Sequence, residues 1–287
     1  IHIIYMNSIL NLIAFVITTV VYYLKIKPVL TLERMSNVEE YKEYNKSVHL
    51  GLAAFFLVIL LSQFLLNIAG ITNKCGGNVK DNLGPAAIAT FLPWIFMFGL
   101  VVAALILFPG IKSAFSDVIG YLMISSNANA ILDEILIQTE VQSILAEDNN
   151  HSAKEKNALQ NAAQVIMNIM TNPSLLINQI VPLNFTQFWT TLQPLMKEKY
   201  KDASSQETID MKNKLFSLVT TRDNVGEALW FIYTGLIVTS FVQLNINSKG
   251  CVTSPAQMEK NYQDFLDQED QAEQDKKAKT STTYTVD

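Results

Sequence analysis

Four long, strongly apolar segments of the chain carry no charged residue, and more polar segments separate them. The four segments are residues 3–24, 48–68, 86–108 and 228–244. A helix needs about 20 mostly apolar residues to cross a hydrocarbon layer of about 30 Å. Each segment is therefore predicted to be a transmembrane helix, and the fourth is at the short limit of this range. For the strongest segment, residues 86–108, the alternative is a central helix of a large soluble core.

Proline, glycine and alanine mark special positions in the third predicted span. Pro109 and Gly110 follow its apolar residues and form the terminus of the span, because this pair stops a helix. Pro93 lies inside the span, removes one backbone hydrogen bond and is predicted to kink the helix. Gly99 and Ala103 are four residues apart, so they are predicted to let a neighbouring helix approach closely.

Beyond the third span, residues 111–226 show an amphipathic pattern. Apolar residues recur at helical spacing from Phe115 to Met123, which is typical of a helix lying on a membrane surface. Further helices are predicted at about 131–147, 154–170, 175–180, 185–196 and 207–218. The carboxylates of this region are expected on solvated faces rather than in a catalytic pair.

These patterns predict an all-α protein, a four-span transmembrane helical bundle with an inserted α-helical extramembrane domain. Residues 1–110 hold three spans, residues 111–226 the surface helix and the domain, and residues 227–245 the fourth span. Residues 246–287 form an acidic tail that is predicted to be partly disordered, with one helix at about 258–268.

Composition agrees with a membrane protein and narrows the function. Only 16% of the residues are charged and 49% are hydrophobic, whereas soluble domains carry about 25% charged residues. The net charge of −5 and the lack of a Lys/Arg block argue against nucleic acid. Histidines and cysteines are scattered singly, so no metal or haem spacing exists. No nucleophile motif or Gly-rich phosphate loop is visible, so neither an enzyme nor a cofactor is expected.

Amides are the main polar groups inside the predicted spans. Asn7 and Asn11 are four residues apart in the first span, and Gln63 and Asn67 repeat this spacing in the second. They are predicted to hydrogen-bond neighbouring helices, and the alternative is a conduction path. His49, at the mouth of the second span, is expected to be an interfacial side chain rather than a proton relay.

With four crossings, residues 25–47 and 111–226 share one side of the membrane, and the loop after the second span and the tail share the other. Lysine and arginine are more frequent near the spans on the domain side. The positive-inside rule therefore places the domain in the cytoplasm. The glycosylation sequons at Asn45 and Asn184 are accordingly expected to stay unmodified.

The same topology predicts a structural disulfide between Cys75 and Cys251, the two cysteines of the chain. Each lies a few residues beyond the end of a predicted span on the side opposite the domain. Neighbouring glycines can bring the two backbones within the 4.4–6.8 Å Cα separation that a bridge needs. The alternative is a pair of free loop thiols.

Several short motifs resemble one family of viral membrane proteins. They are Phe91-Leu92-Pro93-Trp94, Phe108-Pro109-Gly110, Phe115-Ser116, Gly120-Tyr121, Asp223-Asn224-Val225-Gly226-Glu227 with Trp230, Thr234-Gly235, and Gly250-Cys251. Together they are similar to multispan membrane proteins of nucleocytoplasmic large DNA viruses. The resemblance covers about half of the chain and implies a virion membrane protein without known catalytic residues.

Two classes of function are expected from these observations. The first is a structural membrane protein whose 111–226 domain binds other viral or membrane proteins and links an internal virion membrane to the capsid. The second is a small oligomeric channel or transporter. The spans contain no Asp, Glu, Lys or Arg and the chain shows no internal repeat, which favours the first class. The sequence leaves the oligomeric state open.

Overall fold

The computed structural model describes residues 2–76, 78–136, 172–248, 251 and 255–280. Helices dominate these residues, and the first is α1, His2–Val21, which continues through a π-helical segment, Tyr22–Ile26. The next are α2, Leu32–Ser36, α3, Val38–Cys75, and α4, Val79–Leu107. The element α5 consists of Ser113–Phe115 and Tyr121–Ile135, joined by a π-helical segment at Ser116–Gly120. The remaining helices are α6, Pro173–Gln179, α7, Phe185–Leu192, α8, Glu198–Lys201, α9, Gln206–Ser248, and α10, Pro255–Thr280.

Helices α1, α3, α4 and α9 are long and apolar enough to cross a membrane. The predicted all-α, four-span fold is therefore confirmed. The second and fourth spans belong to longer helices than the charge-free segments alone predicted. Helix α3 begins at Val38 and includes the polar residues that precede the second span.

Helix α9 differs most from its prediction. The predicted helix at 207–218 and the predicted span at 228–244 are one uninterrupted helix of 43 residues. The residues between them contain no proline and a single glycine, so nothing in the backbone chemistry ends the helix there. At 1.5 Å per residue this helix is about 65 Å long, which is twice the thickness of the hydrocarbon layer.

The connection between the second and third spans is shorter than predicted. A loop was expected at residues 69–84, but α3 continues to Cys75 and α4 begins at Val79. Gly76 ends α3 with a positive φ of 69°, and its N–H donates to the Thr72 carbonyl. Only glycine adopts this conformation without strain, which explains why α3 ends at this position.

The proline residues of α4 mark changes in its geometry. Directly after Pro93 the helix widens into a π-helical segment, Trp94–Phe98, before α geometry resumes. Such a turn accommodates the backbone carbonyl that the proline ring leaves without a donor. The α-helix ends at Leu107, and Pro109 and Gly110 open a short 3₁₀ turn, Pro109–Lys112.

Aromatic side chains fill the centre of the four-helix bundle. Phe15, Phe55, Phe98 and Phe231 come from the four different spans and are all buried. The Phe98 ring centroid lies 5.9 Å from Phe15, 6.3 Å from Phe55 and 5.5 Å from Phe231. Trp94 closes this cluster at 5.4 Å from Phe15. Because such pairs add to the burial of apolar area, they hold the four helices together.

A layer of buried amides lies next to the aromatic cluster, towards Cys75. The Asn67 Oδ1 atom accepts from Asn11 at 3.3 Å and from Gln243 at 2.9 Å. Asn67 in turn donates to Thr90 at 2.9 Å, and Gln63 donates to the Asn11 carbonyl at 2.8 Å. These bonds join all four spans, as interhelical hydrogen bonds do in lipid.

The extramembrane domain has its own apolar core, which is distinct from that of the bundle. It is formed by α5, α6, α7 and the first turns of α9, with Trp189, Phe185 and Phe216 among its buried residues. Leu30 and Leu32 also belong to this core. The connector between the first two spans, predicted only as a polar segment, is therefore part of the domain.

Several predicted elements differ in detail or fall outside the described residues. Residues 115–123 and 131–135, predicted to lie in two separate helices, belong to one element, α5, which ends at Ile135. Residues 137–147 and the helix predicted at 154–170 lie outside the described residues. The tail, predicted to be partly disordered with one helix at about 258–268, is helical from Pro255 to Thr280, and its residues described in detail are mostly exposed.

Candidate functional site

The boundary between the bundle and the domain is built on two glycines. A Cβ atom on Gly226 of α9 would lie 2.8 Å from the Lys112 carbonyl oxygen and 2.8 Å from Ser116 Cβ. A Cβ atom on Gly120 would lie 2.7 Å from the Arg222 carbonyl oxygen. Because no larger residue fits at either position, the segment that leaves α4 packs directly on the backbone of α9.

Aromatic residues extend this contact on the membrane side. Trp230 of α9 donates its indole N–H to the Ile111 carbonyl at 2.9 Å, directly beyond Gly110. Its ring meets that of Phe115 edge-on, with the centroids 5.1 Å apart. The chain reversal at Pro109 and Gly110 is thus fixed against the fourth span. Phe115, Ser116, Gly120, Gly226 and Trp230, which are among the residues that carried the family resemblance, meet at this contact.

A buried cluster of charges lies beside the glycine contact. One oxygen of Glu227 accepts from Lys27 at 2.6 Å and from the Tyr23 hydroxyl at 2.9 Å. The other oxygen lies 2.8 Å from Lys112, which also pairs with Asp223 at 2.9 Å. All four charged side chains of the cluster are at most 20% exposed. We call Tyr23, Lys27, Lys112, Asp223 and Glu227 the boundary cluster.

Electrostatics at the boundary cluster favour the charged form of Lys112. Burial lowers the pKa of Lys112, but the carboxylates of Glu227 and Asp223 more than offset this effect and raise its pKa above the usual value. Two positive and two negative charges compensate each other, so the cluster carries no net charge. Removal of Glu227 would leave the buried Lys27 without its ion-pair partner, which is strongly destabilising.

Arg222, directly before Asp223 of the boundary cluster, links α9 to α6 of the domain. Its side chain is 1% exposed. It donates to the carbonyls of Ile177 and Ile180, the latter at 2.7 Å, and to the Asn178 amide oxygen at 3.1 Å. These groups lie at the C-terminal end of α6, where unpaired carbonyls and the helix dipole favour a cation.

The structure forms the predicted disulfide at the other end of the bundle. Cys75 and Cys251 are bonded, with their Cα atoms 5.3 Å apart. Nearby, Lys74 donates to the carbonyls of Ile246 and Asn247 at 2.8 and 2.9 Å. The ends of α3 and α9 are therefore joined on the side opposite the domain.

The close helix contact predicted at Gly99 and Ala103 lies elsewhere in the structure. Ala103 is exposed, and a Cβ atom on Gly99 would lie 3.9 Å from the Phe56 ring, an ordinary contact. The tight position in the bundle is Gly235 on the fourth span. A Cβ atom there would lie 2.2 Å from the ring of Phe15.

The sequence analysis did not predict the boundary cluster. Lysines near the spans served only as evidence of orientation, Asp223 and Glu227 were only parts of a motif, and Tyr23 was not singled out. A signal for the pairing was present, because Lys27 and Lys112 follow the first and third spans and Glu227 precedes the fourth. Opposite charges at one depth of a four-span bundle are expected to pair.

Two further observations concern the glycosylation sequon at Asn184 and the side chains that could bind a metal ion. The Asn184 side chain accepts from the Val181 N–H and donates to the Gln179 carbonyl, so its amide serves the backbone of a turn. Within the residues that the structure describes, no group of three or more His, Cys, Asp or Glu side chains could hold a metal ion.

The fold and this boundary define a class, that of multi-pass α-helical integral membrane proteins with a domain built onto one end of the bundle. Comparison of the chain with protein-family models, with curated proteins and with solved structures gives no match.

Proposed function

We propose that the chain is a non-enzymatic structural protein of a membrane, which holds its helical domain in a fixed position for binding to other proteins. The continuity of α9 carries this proposal. One helix supplies Phe231 and Val242 to the core of the bundle, and Leu215, Phe216 and Val219 to the core of the domain. The domain is therefore attached by a continuous helix rather than by a linker.

The boundary contacts support the same function. The glycine contact, the boundary cluster and Arg222 link α9 to the elements on either side of the membrane boundary. Their combined effect is to fix the angle between domain and bundle. A rigid attachment of this kind suits a protein that holds a protein layer at a fixed position relative to a membrane.

The resemblance to multispan proteins of nucleocytoplasmic large DNA viruses suggests which membrane and which partner. We propose that the membrane is the internal membrane of a virion and that the domain faces the capsid or proteins attached to it. In the infected cell this side corresponds to the cytoplasm, as the distribution of lysine and arginine near the spans suggests.

Cross-linking of intact virus particles, followed by mass spectrometry, tests this proposal. The domain exposes Lys199, Lys201 and Lys214, whereas Lys276 lies in the tail beyond the disulfide. We expect the domain lysines to cross-link to capsid proteins and Lys276 not to do so. Absence of the chain from purified particles, or equal cross-linking of both sides to the capsid, would contradict the proposal.

Ion flux distinguishes the alternative, an oligomeric channel. The buried amide layer is the polar feature of the spans that could favour conduction, but its groups hydrogen-bond one another across the helices. Purified chain in liposomes is therefore expected to give no selective flux. An ion-selective conductance that Asn67→Leu abolishes would support the channel instead.

A further inference from the structure

A cavity of about 350 Å³ lies beside the boundary cluster, between α3, α4, α9 and the domain loop at residues 181–183. Its lower wall is apolar and includes Leu52, Val102, Leu105 and Phe231. Its upper wall carries the four charged residues of the boundary cluster. One cavity thus has an apolar end and a charged end.

The depth of the cavity matches the boundary of a membrane. Helix α4 ends at Leu107, so Val102 lies about 8 Å below its end, within the hydrocarbon layer. Lys112 lies beyond the end of this helix, at the level where headgroups are found. The apolar wall therefore faces acyl-chain depth and the charged wall faces headgroup depth.

The cavity opens towards the lipid. Ile106 on α4, at 47% exposure, and Leu183 in the loop above, at 62%, form part of its rim together with the exposed His49 of α3. Contacts between α3 and α4 are concentrated in the half of α4 before Pro93, near the Gly76 turn. The two helices separate towards the domain, and a molecule in the bilayer can enter between them.

We propose that this cavity binds one zwitterionic phospholipid, with part of an acyl chain between α3 and α4 and the headgroup under the boundary cluster. The volume holds about a dozen groups of the size of a water molecule, which is a segment of one chain rather than a whole lipid. The charged wall presents two lysines and two carboxylates with no net charge. This arrangement complements a headgroup that carries both a phosphate and an amine.

Within the charged wall, Asp223 and Lys112 are the most accessible members, with side chains 20% and 15% exposed. Lys112 can donate to the phosphate and Asp223 can accept from the amine. Phosphatidylglycerol, which is anionic, lacks the amine and meets Asp223 with a like charge. The headgroup preference therefore depends on Asp223, whereas occupancy depends on the apolar wall.

Native mass spectrometry of the full chain tests the site. The chain is reconstituted in nanodiscs of phosphatidylethanolamine and phosphatidylglycerol in equal amounts with identical acyl chains, and then released into mild detergent. We expect one phosphatidylethanolamine to remain bound, favoured about tenfold over phosphatidylglycerol, because the loss of one hydrogen bond to a charged group weakens binding by at least this factor. Absence of a retained lipid, or retention in the bulk ratio, would overturn the proposal.

Matched variants separate the cavity from the general lipid surface. Val102→Trp fills the cavity and is expected to reduce occupancy about tenfold or more. Leu100→Trp adds the same side chain at a nearby, exposed position outside the cavity and is expected to leave occupancy unchanged. Equal effects of the two variants would refute the site. Asp223→Asn should retain the lipid and shift its preference towards phosphatidylglycerol.

Photo-cross-linking keeps the test decisive if Val102→Trp fails to fold. Wild-type chain is labelled with phosphatidylethanolamine that carries a diazirine midway along one acyl chain. The label is expected mainly on Val102, Leu105 and Ile106, and labelling that instead follows the exposed residues Leu100 and Leu107 would refute the site. This proposal requires only that the chain spans a membrane. Its test is therefore independent of the proposed role in a virion.

Discussion

Substitution of Gly235 by alanine tests the packing of the bundle at its tightest point. The added methyl group would lie 2.2 Å from two ring carbons of Phe15. Phe15 is fully buried, with Trp94 and Phe98 at centroid distances of 5.4 and 5.9 Å. The ring therefore cannot move aside without displacing its neighbours, so α1 and α9 must separate.

The expected magnitude follows from two opposing effects. Overpacking of a well-packed core costs about 1–3 kcal/mol. A glycine in a helix is less stable than alanine by about 0.5–1 kcal/mol, which partly offsets this cost. Because 2.2 Å is far inside van der Waals contact, the cost belongs at the upper end of its range. We expect Gly235→Ala to reduce the free energy of unfolding by about 2 kcal/mol.

Gly99→Ala provides the matched control, because its new Cβ atom would lie 3.9 Å from the nearest side chain. This variant is expected to be neutral or to gain up to about 1 kcal/mol. Unfolding in a denaturing-detergent titration, followed by helical circular dichroism, measures both. The reasoning would be refuted if the two variants were equally stable. Phe15→Leu should make Gly235→Ala less costly, which a double-mutant cycle measures.

Three further predictions concern other parts of the molecule. Glu227→Gln leaves two buried lysines with one carboxylate and is expected to destabilise the chain by about 3 kcal/mol in the same titration, and an effect below about 0.5 kcal/mol would contradict the buried ion pairs. Reduction of the Cys75–Cys251 disulfide should lower the free energy of unfolding of the wild-type chain by no more than about 5 kcal/mol, the entropic limit for a loop of this length. The decrease is smaller if the membrane already holds the ends of the loop together. Reductant should have no effect on the stability of Cys251→Ser, which lacks the bond. Hydrogen bonds from Lys199 and Tyr200 lower the pKa of Glu134 to about 2 in the folded chain. The stability that the Glu134 carboxylate contributes is therefore fully present above its unfolded pKa of about 4.3. This contribution is lost as the pH falls towards 2. The melting temperatures of wild type and Glu134→Gln should therefore differ at neutral pH and converge near pH 2.

The spans could be predicted because the cost of burying charge in lipid is a local property of the sequence. A run of about 20 mostly apolar residues without Asp, Glu, Lys or Arg indicates a span. The disulfide could be predicted for a related reason, since four crossings determine which loops share a side. Neither prediction required knowledge of which side chains touch.

Contacts between helices were harder to predict, because spacing along one helix does not identify its partner. Gly99 and Ala103 have the spacing typical of a packing face, yet the close contact is made by Gly235 against Phe15. Leu30 and Leu32 lie in a polar connector, and only the folded domain shows that they complete its core. The continuity of α9 was missed for another reason, since the change from polar to apolar residues resembles a domain boundary.

Because α9 is long, a small change in the tilt of the fourth span displaces the domain end of the helix by several ångströms. Gln206 lies 20 residues above Gly226, which corresponds to about 30 Å along the axis. A change of about 10° in the tilt of the fourth span would displace this end of the helix sideways by about 5 Å. Helices change their tilt when a bilayer becomes thicker or thinner, so local membrane thickness would be converted into a lateral movement of the domain.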